Sequence, residues 1–150
     1  MDLAHILVIV SLLLTAWAAA GCWILQLVAY PTYFLVGKDE FVPFHVDFGR
    51  RLIPVFVVQA VLGCLTFFAL LAFRPASVPL YDAILASVAG AVILGTTGAV
   101  EVPTHMALDK EGKDDAKLAS LVRWNLWRAI SWTVALGALT HALLTSFSPV

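Results

Sequence analysis

The chain has 150 residues, 61% of them hydrophobic and 13% charged, with a mean hydropathy of +0.94 and a formal net charge of −1. A soluble domain carries about 45–50% apolar and about 25% charged residues, so this balance is that of a membrane protein. The near-zero charge excludes the basic footprint of a nucleic-acid binder, and two cysteines, Cys22 and Cys64, each inside an apolar run, exclude a disulfide framework.

The opening stretch, "MDLAHILVIVSLLLTAWAAAG", has the length of a signal peptide but carries Asp2 where a basic start belongs. Its apolar run also continues well beyond that length. It is expected to stay as a membrane helix over 3–36. The uncharged run from Leu3 to Gly37 exceeds what an upright crossing needs, so this helix should tilt or kink near Pro31. Ala18, Cys22, Gln26 and Tyr30 form a row along it.

The connection "GKDEFVPFHVDFGRR" leads into a second helix predicted over 42–73, with His45 near its start and Asp47 and Arg51 as an i, i+4 pair. "RPASVPLYD" makes the next turn. There Ser77, Pro79 and Asp82 offer a cap, a first-turn proline and an acid for a third helix over 78–104. Ala83, Ser87, Ala91, Gly95 and Ala99 predict a smooth ridge for close helix packing. The helix closes on "VEVPTHMAL", where Pro103 stands between Glu101 and His105. A charged loop follows, with Asp114 or Asp115 as the cap of a fourth helix over 115–147. Asn125, Arg128 and Trp132 share one face of it, Trp124 and Trp127 read as interfacial aromatics, and Thr133, Gly137, His141 and Thr145 form a row.

Short connections between long apolar helices predict an all-α fold, an integral membrane antiparallel four-helix bundle with up-down-up-down topology, as a single domain over 1–150. Lys38, Arg50, Arg51, Lys110, Lys113, Lys117, Arg123 and Arg128 fall at one end and Arg74 alone at the other. The positive-inside rule then places the first and third connections in the cytoplasm and both termini outside.

The antiparallel path also gathers the unusual polar residues at that basic end. Polar groups inside a membrane are costly unless paired, so they should face one another in a shared chamber. His105, Glu101 and Tyr30 are the candidate catalytic residues. Gln26, Asn125, Arg128 and Trp132 are the candidate substrate-binding residues, with Arg128 and Asn125 suited to an anionic or oxygen-rich group. His45, Glu101 and His105 together offer the two-histidine, one-carboxylate face that suits non-haem iron or another divalent metal. A haem held by His45 and His105 is the runner-up cofactor. The plainer readings are interhelical hydrogen bonds for Gln26 and Tyr30 and a structural ion pair for Glu101 and His105.

"WILQLVAYPTYF", "EFVPFH", "VEVPTHMAL" and "RWNLWRAISWT" together resemble a set of small bacterial four-helix membrane proteins. Their pattern is a Gln four residues before Tyr-Pro, a His opening helix two, Pro-x-His-x-x-Leu closing helix three and Asn-Trp-x-Arg opening helix four. It falls here on Gln26, Tyr30, Pro31, His45, Pro103, His105, Leu108, Asn125 and Arg128. Two departures stand out: Trp124-Asn125-Leu126 replaces Asn-Trp, and Phe48 stands where a second histidine is expected. More distantly the chain resembles the domain family of unknown function that includes anthrone oxygenases, which oxidise polycyclic aromatics. The resemblance implies a bacterial cytoplasmic (inner) membrane protein.

Two functional readings follow. One is a membrane oxidoreductase or oxygenase acting on a lipophilic, aromatic or quinone-like molecule. The other is a non-enzymatic accessory or binding subunit, haem-binding included, of a homo-oligomer or larger membrane complex. A transporter is the weakest reading, because no internal repeat is visible.

Overall fold

The structure is a computed structural model and describes residues 2–146. Four helices, α1 (Leu3–Tyr33), α2 (Lys38–Phe73), α3 (Leu80–Glu111) and α4 (Asp115–Ser146), are long and apolar enough to cross a membrane. Each packs on its neighbour in sequence, and α4 closes the square against α1. Outward-facing side chains such as Leu13, Leu65, Val88 and Leu144 are apolar and exposed. A helix apolar on every side is one whose outer face meets lipid.

The helix ends follow from local chemistry. Asp2 caps α1 by accepting the His5 N–H at 3.0 Å. The last carbonyls beyond α1, on Phe34 and Val36, accept from Lys113 Nζ at 2.7 and 2.8 Å, so the third connection staples the first. α2 begins at Lys38, ahead of the predicted 42, with Asp39 and Glu40 in its first turn favouring the helix dipole. α3 starts at Leu80 after Pro79, with Asp82 in its first turn; the Ser77 hydroxyl donates to the Ser146 carbonyl instead of capping. α3 then runs to Glu111, past the predicted 104. It stops at Gly112, whose φ of +90° is open to glycine and whose N–H returns to the Leu108 carbonyl. Asp114 caps α4, accepting from Ala116 N at 2.9 Å and Lys117 N at 3.0 Å. The Lys117 N–H holds the Asp114 carboxyl below the usual carboxylate range.

Three of the four helices carry one wide turn, in which an N–H reaches back five residues. Tyr30 N–H bonds the Leu25 carbonyl, Val58 N–H bonds Ile53 and Val102 N–H bonds Thr97. Pro31, Pro54 and Pro103 lie inside these turns or two residues after them. Proline lacks an N–H and collides with the carbonyl four residues back. A turn with one extra residue relieves both problems. This is how α3 passes Pro103 without ending.

Two of the predicted packing rows are not the buried ones. On α3 Ala83 and Ser87 are buried, together with Ala86, Gly90 and Ile93, while Ala91, Gly95 and Ala99 are exposed. On α4 Thr133, Gly137 and His141 are exposed, and Asn125, Arg128, Trp132, Ala135, Leu139 and Ala142 make the buried face. A strict four-residue step overshoots a 3.6-residue turn, so it spirals off the contact face; steps mixing three and four stay on it. The α1 row holds, with Ala18, Cys22 and Tyr30 buried and Gln26 half-buried.

Candidate functional site

Glu101, His105 and Asp109 are four residues apart on α3 and share one face. Glu101 is 2% exposed. Its Oε2 accepts the Tyr30 hydroxyl at 2.9 Å and pairs with Arg128 Nη1 at 3.2 Å. His105 Nε2 lies 3.3 Å from the Tyr30 hydroxyl but 3.8 Å from Glu101 Oε2, beyond hydrogen-bond reach. Tyr30 therefore bridges the histidine and the glutamate. On the other side of the ring, His105 Nδ1 is 2.9 Å from His45 Nε2, and His45 Nδ1 is 2.6 Å from Asp109 Oδ1. An unbroken chain of hydrogen bonds thus runs from Asp109, whose side chain is 43% exposed, to buried Glu101.

His45 itself is buried, seated between Phe41, stacked at 5.2 Å, and Tyr33, edge-on at 5.3 Å. The aromatic cage fixes the ring, so both its nitrogens are committed to their partners.

A second branch leaves from Arg128. Its Nη1 donates to Asn125 Oδ1 at 3.4 Å. Asn125 Nδ2 donates to Gln26 Oε1 at 2.9 Å and to the Cys22 carbonyl at 3.3 Å, and Cys22 Sγ donates to Asn125 Oδ1 at 3.2 Å. Gln26 and Asn125 therefore join α1 to α4. Trp132 is buried against Phe67 at 5.7 Å, edge-on, and against Gly63.

A cavity of about 550 Å³ lies beside the chain of bonds, within the range of about 300–1,000 Å³ usual for small-molecule sites. Tyr30, His45, Glu101, His105, Asp109 and Arg128 supply its polar wall, and Phe48, Leu52, Ile53, Phe56 and Met106 much of its apolar wall. All three wide turns contribute to it, through Leu25, Ile53, Phe56, Thr97 and Glu101. An almost wholly apolar cleft of about 650 Å³ adjoins it and shares Tyr33, Phe48 and Phe56. Gln26, Asn125 and Trp132, expected to contact substrate, are not among the lining residues; of that set Arg128 is.

Four buried polar atoms among the described residues have no protein partner: Glu101 Oε1 and Arg128 Nε, on residues that line this cavity, and Gln59 Oε1 and Trp132 Nε1, on residues that do not. Sequence reading missed Asp109, the first residue after "VEVPTHMAL" and so left in the charged loop, and Tyr33. The signal for Asp109 was its spacing, four residues after His105, hidden by the expectation that Pro103 closes the helix.

The donor set does not fit the expected metal face. Among the described residues no three His, Cys, Asp or Glu side chains are grouped to hold an ion. The imidazole nitrogens are taken up by each other, by Asp109 and by Tyr30. A haem between the two histidines would hold their nitrogens about 4 Å apart, twice a metal–nitrogen bond of about 2 Å; here they are 2.9 Å apart. No family model, curated protein or solved structure matches the chain.

Proposed function

We propose that the cavity binds a lipophilic phenol- or quinone-type molecule and that the chain serves membrane oxidoreductase or oxygenase chemistry on it. The observation that carries this is a largely apolar cavity lined by Glu101 and Arg128, each of which keeps one buried polar atom without a protein partner. A buried polar atom without a partner costs about 1–3 kcal/mol. With a small turn of each side chain toward the cavity, a ligand hydroxyl would satisfy Glu101 Oε1 and a ligand carbonyl would satisfy Arg128 Nε. The two forms of a quinone offer those groups on a flat apolar ring, and Phe48, Phe56 and Met106 offer apolar surface for the ring.

In this reading Arg128 orients the ligand oxygen, and Glu101, Tyr30 and His105 exchange protons with it. A quinol hydroxyl carries the proton that these side chains exchange. The resemblance to the domain family that includes anthrone oxygenases belongs to this proposal, as does a site near the cytoplasmic face of a bacterial inner membrane with both termini outside. The apolar cleft beside the cavity supports entry from the bilayer.

The accessory-subunit reading draws on the other branch. Cys22 and Gln26 on α1 are tied to Asn125 on α4 by hydrogen bonds that need no ligand.

The test is a titration of purified protein in lipid nanodiscs with a methylated naphthoquinone and with its quinol, followed by tryptophan fluorescence. Saturable binding is expected, weakened by Glu101→Gln for the quinol and abolished by Phe48→Trp, which fills the cavity. Absence of saturable binding by both forms overturns the reading and leaves the accessory role.

A further inference from the structure

The chain of bonds from Asp109 to Glu101 has more order than a cluster of mutually satisfied groups requires. Each inner member, His45, His105 and Tyr30, has one partner in the row on either side. The links run Asp109 Oδ1 to His45 Nδ1, His45 Nε2 to His105 Nδ1, His105 Nε2 to Tyr30 Oη, and Tyr30 Oη to Glu101 Oε2. Both imidazoles are bonded through both nitrogens, so each can accept a proton on one side and release one on the other. One end meets solvent and the other is buried in the bundle. The single gap too long for direct transfer, between His105 and Glu101, is the one that the Tyr30 hydroxyl spans.

We infer that this row is a proton relay between the basic end of the bundle and Glu101. In its starting state His45 carries both ring protons and pairs with the Asp109 carboxylate, His105 is neutral with its proton on Nε2, and Glu101 is a carboxylate. The His45 Nε2–H bond breaks as a proton joins His105 Nδ1. The His105 Nε2–H bond breaks as that proton joins the Tyr30 oxygen. The Tyr30 O–H bond breaks as its proton joins Glu101 Oε2. Three bonds break and three form. His45 ends neutral, Glu101 ends as the acid, and no electrons move. After the pass His45 and His105 each hold one proton, on Nδ1, and the reverse sequence resets the row by returning every proton to its starting atom, from which His45 can give its Nδ1 proton to Asp109.

The charged and titratable groups facing this path come from every helix of the site. They are Tyr30 and Tyr33 on α1, His45 and Arg50 on α2, Glu101, His105 and Asp109 on α3, and Arg128 on α4. Arg128 Nη1 lies 3.2 Å from Glu101 Oε2 and supplies the counter-charge when Glu101 stands as the carboxylate that the relay protonates. The relay rests on the preceding reading for the use made of the proton: it lets Glu101 exchange protons while an apolar ligand fills the cavity and keeps water out.

The test uses ligand-free protein in nanodiscs. Protons are released from a caged acid by a light flash, and the appearance of the Glu101 carboxylic-acid band is followed by time-resolved infrared spectroscopy, with Glu101→Gln assigning the band. Tyr30→Phe removes one oxygen and the bridge with it, and should slow the band's rise by about 100-fold, the low end of what a positioned proton-transfer group contributes. His105→Gln keeps a donor and an acceptor but cannot pass a proton through, and should slow it comparably. Added imidazole should restore the rate in His105→Ala and change nothing in wild type. His141→Gln, at the opposite end, should match wild type. Equal rates in wild type, Tyr30→Phe and His105→Gln overturn the relay, since water in the cavity then carries the proton. Loss of the band at equilibrium in both variants also overturns it, since they then set the surroundings of Glu101 without conducting. Neither result bears on the naphthoquinone titration, and a failed titration leaves the relay standing.

Discussion

His105 and Glu101 lie one helical turn apart on α3 yet do not bond each other: 3.8 Å separates Nε2 from Oε2, and Tyr30 from α1 occupies the space between them. The carboxylate's charge is met by Arg128 on α4. The glutamate thus depends on two other helices, and the histidine is left free to face α2.

That dependence sets the order of mutational cost. Arg128→Ala removes the guanidinium from a carboxylate that is 2% exposed. It should destabilise the bundle by roughly 3–5 kcal/mol, the usual cost of leaving one member of a buried pair uncompensated. Glu101→Gln keeps the shape and an acceptor for Tyr30 and should cost less. The double variant, Arg128→Ala with Glu101→Gln, should recover part of the loss. Unfolding in mixed dodecyl sulfate micelles measures all three. Simple additivity of the single effects would mean that the pair is not coupled.

Gly21 and Gly95 offer a matched comparison. A Cβ at Gly21 would come within 2.6 Å of the Phe56 ring, whereas one at Gly95 would meet nothing within 4 Å. Gly21→Ala should push Phe56 into the cavities it lines, weaken naphthoquinone binding and cost about 1–3 kcal/mol as overpacking. Gly95→Ala should leave binding unchanged. Equal binding by the two would show that Phe56 moves without narrowing the cavity.

Orientation can be read from two exposed connection sites. Ala76 and Ala116 are exposed at opposite ends, and the native Cys22 and Cys64 are buried. In intact cells a membrane-impermeant maleimide should label Ala76→Cys, and it should label Ala116→Cys only after permeabilisation. The reverse pattern would put the basic end outside and contradict the charge rule.

The four helices were legible because hydropathy over a membrane-length window does not depend on packing detail. Which face of each helix packs was less so. Small residues at Ala91, Gly95 and Ala99 repeat at an appealing interval, but only the partner helices decide the contact line, and it runs through Gly90 and Ile93. The polar residues were legible one at a time, since Gln, His, Glu and Arg in apolar runs need partners. Their pairing was not. It depends on α3 continuing beyond Pro103, which brings Asp109 to His45. Gln26 was read both as reaching for a ligand and as an interhelical hydrogen-bonding group, and Asn125 as reaching for a ligand; the two bond each other. Residue type says that a hydrogen bond is needed but not who supplies it.

The wide turn at Thr97–Glu101 makes chain length itself part of the site. Successive residues of a helix are rotated by about 100°, and a turn that holds one extra residue never returns that angle. Everything from Val102 onward is therefore phased about 100° away from where an uninterrupted helix would aim it. Deleting Gly98 would let the backbone close into ordinary turns and leave His105 and Asp109 facing His45, whereas inserting one more residue there would swing them off it, although no side chain of the polar row had been changed. The apolar half of α3, from Leu80 to Thr96, would keep its packing on α2 and α4. The deletion should yield a folded protein that still binds the quinol, and the insertion a folded protein that does not, by timing alone: the row is kept aligned by a turn that takes no part in it.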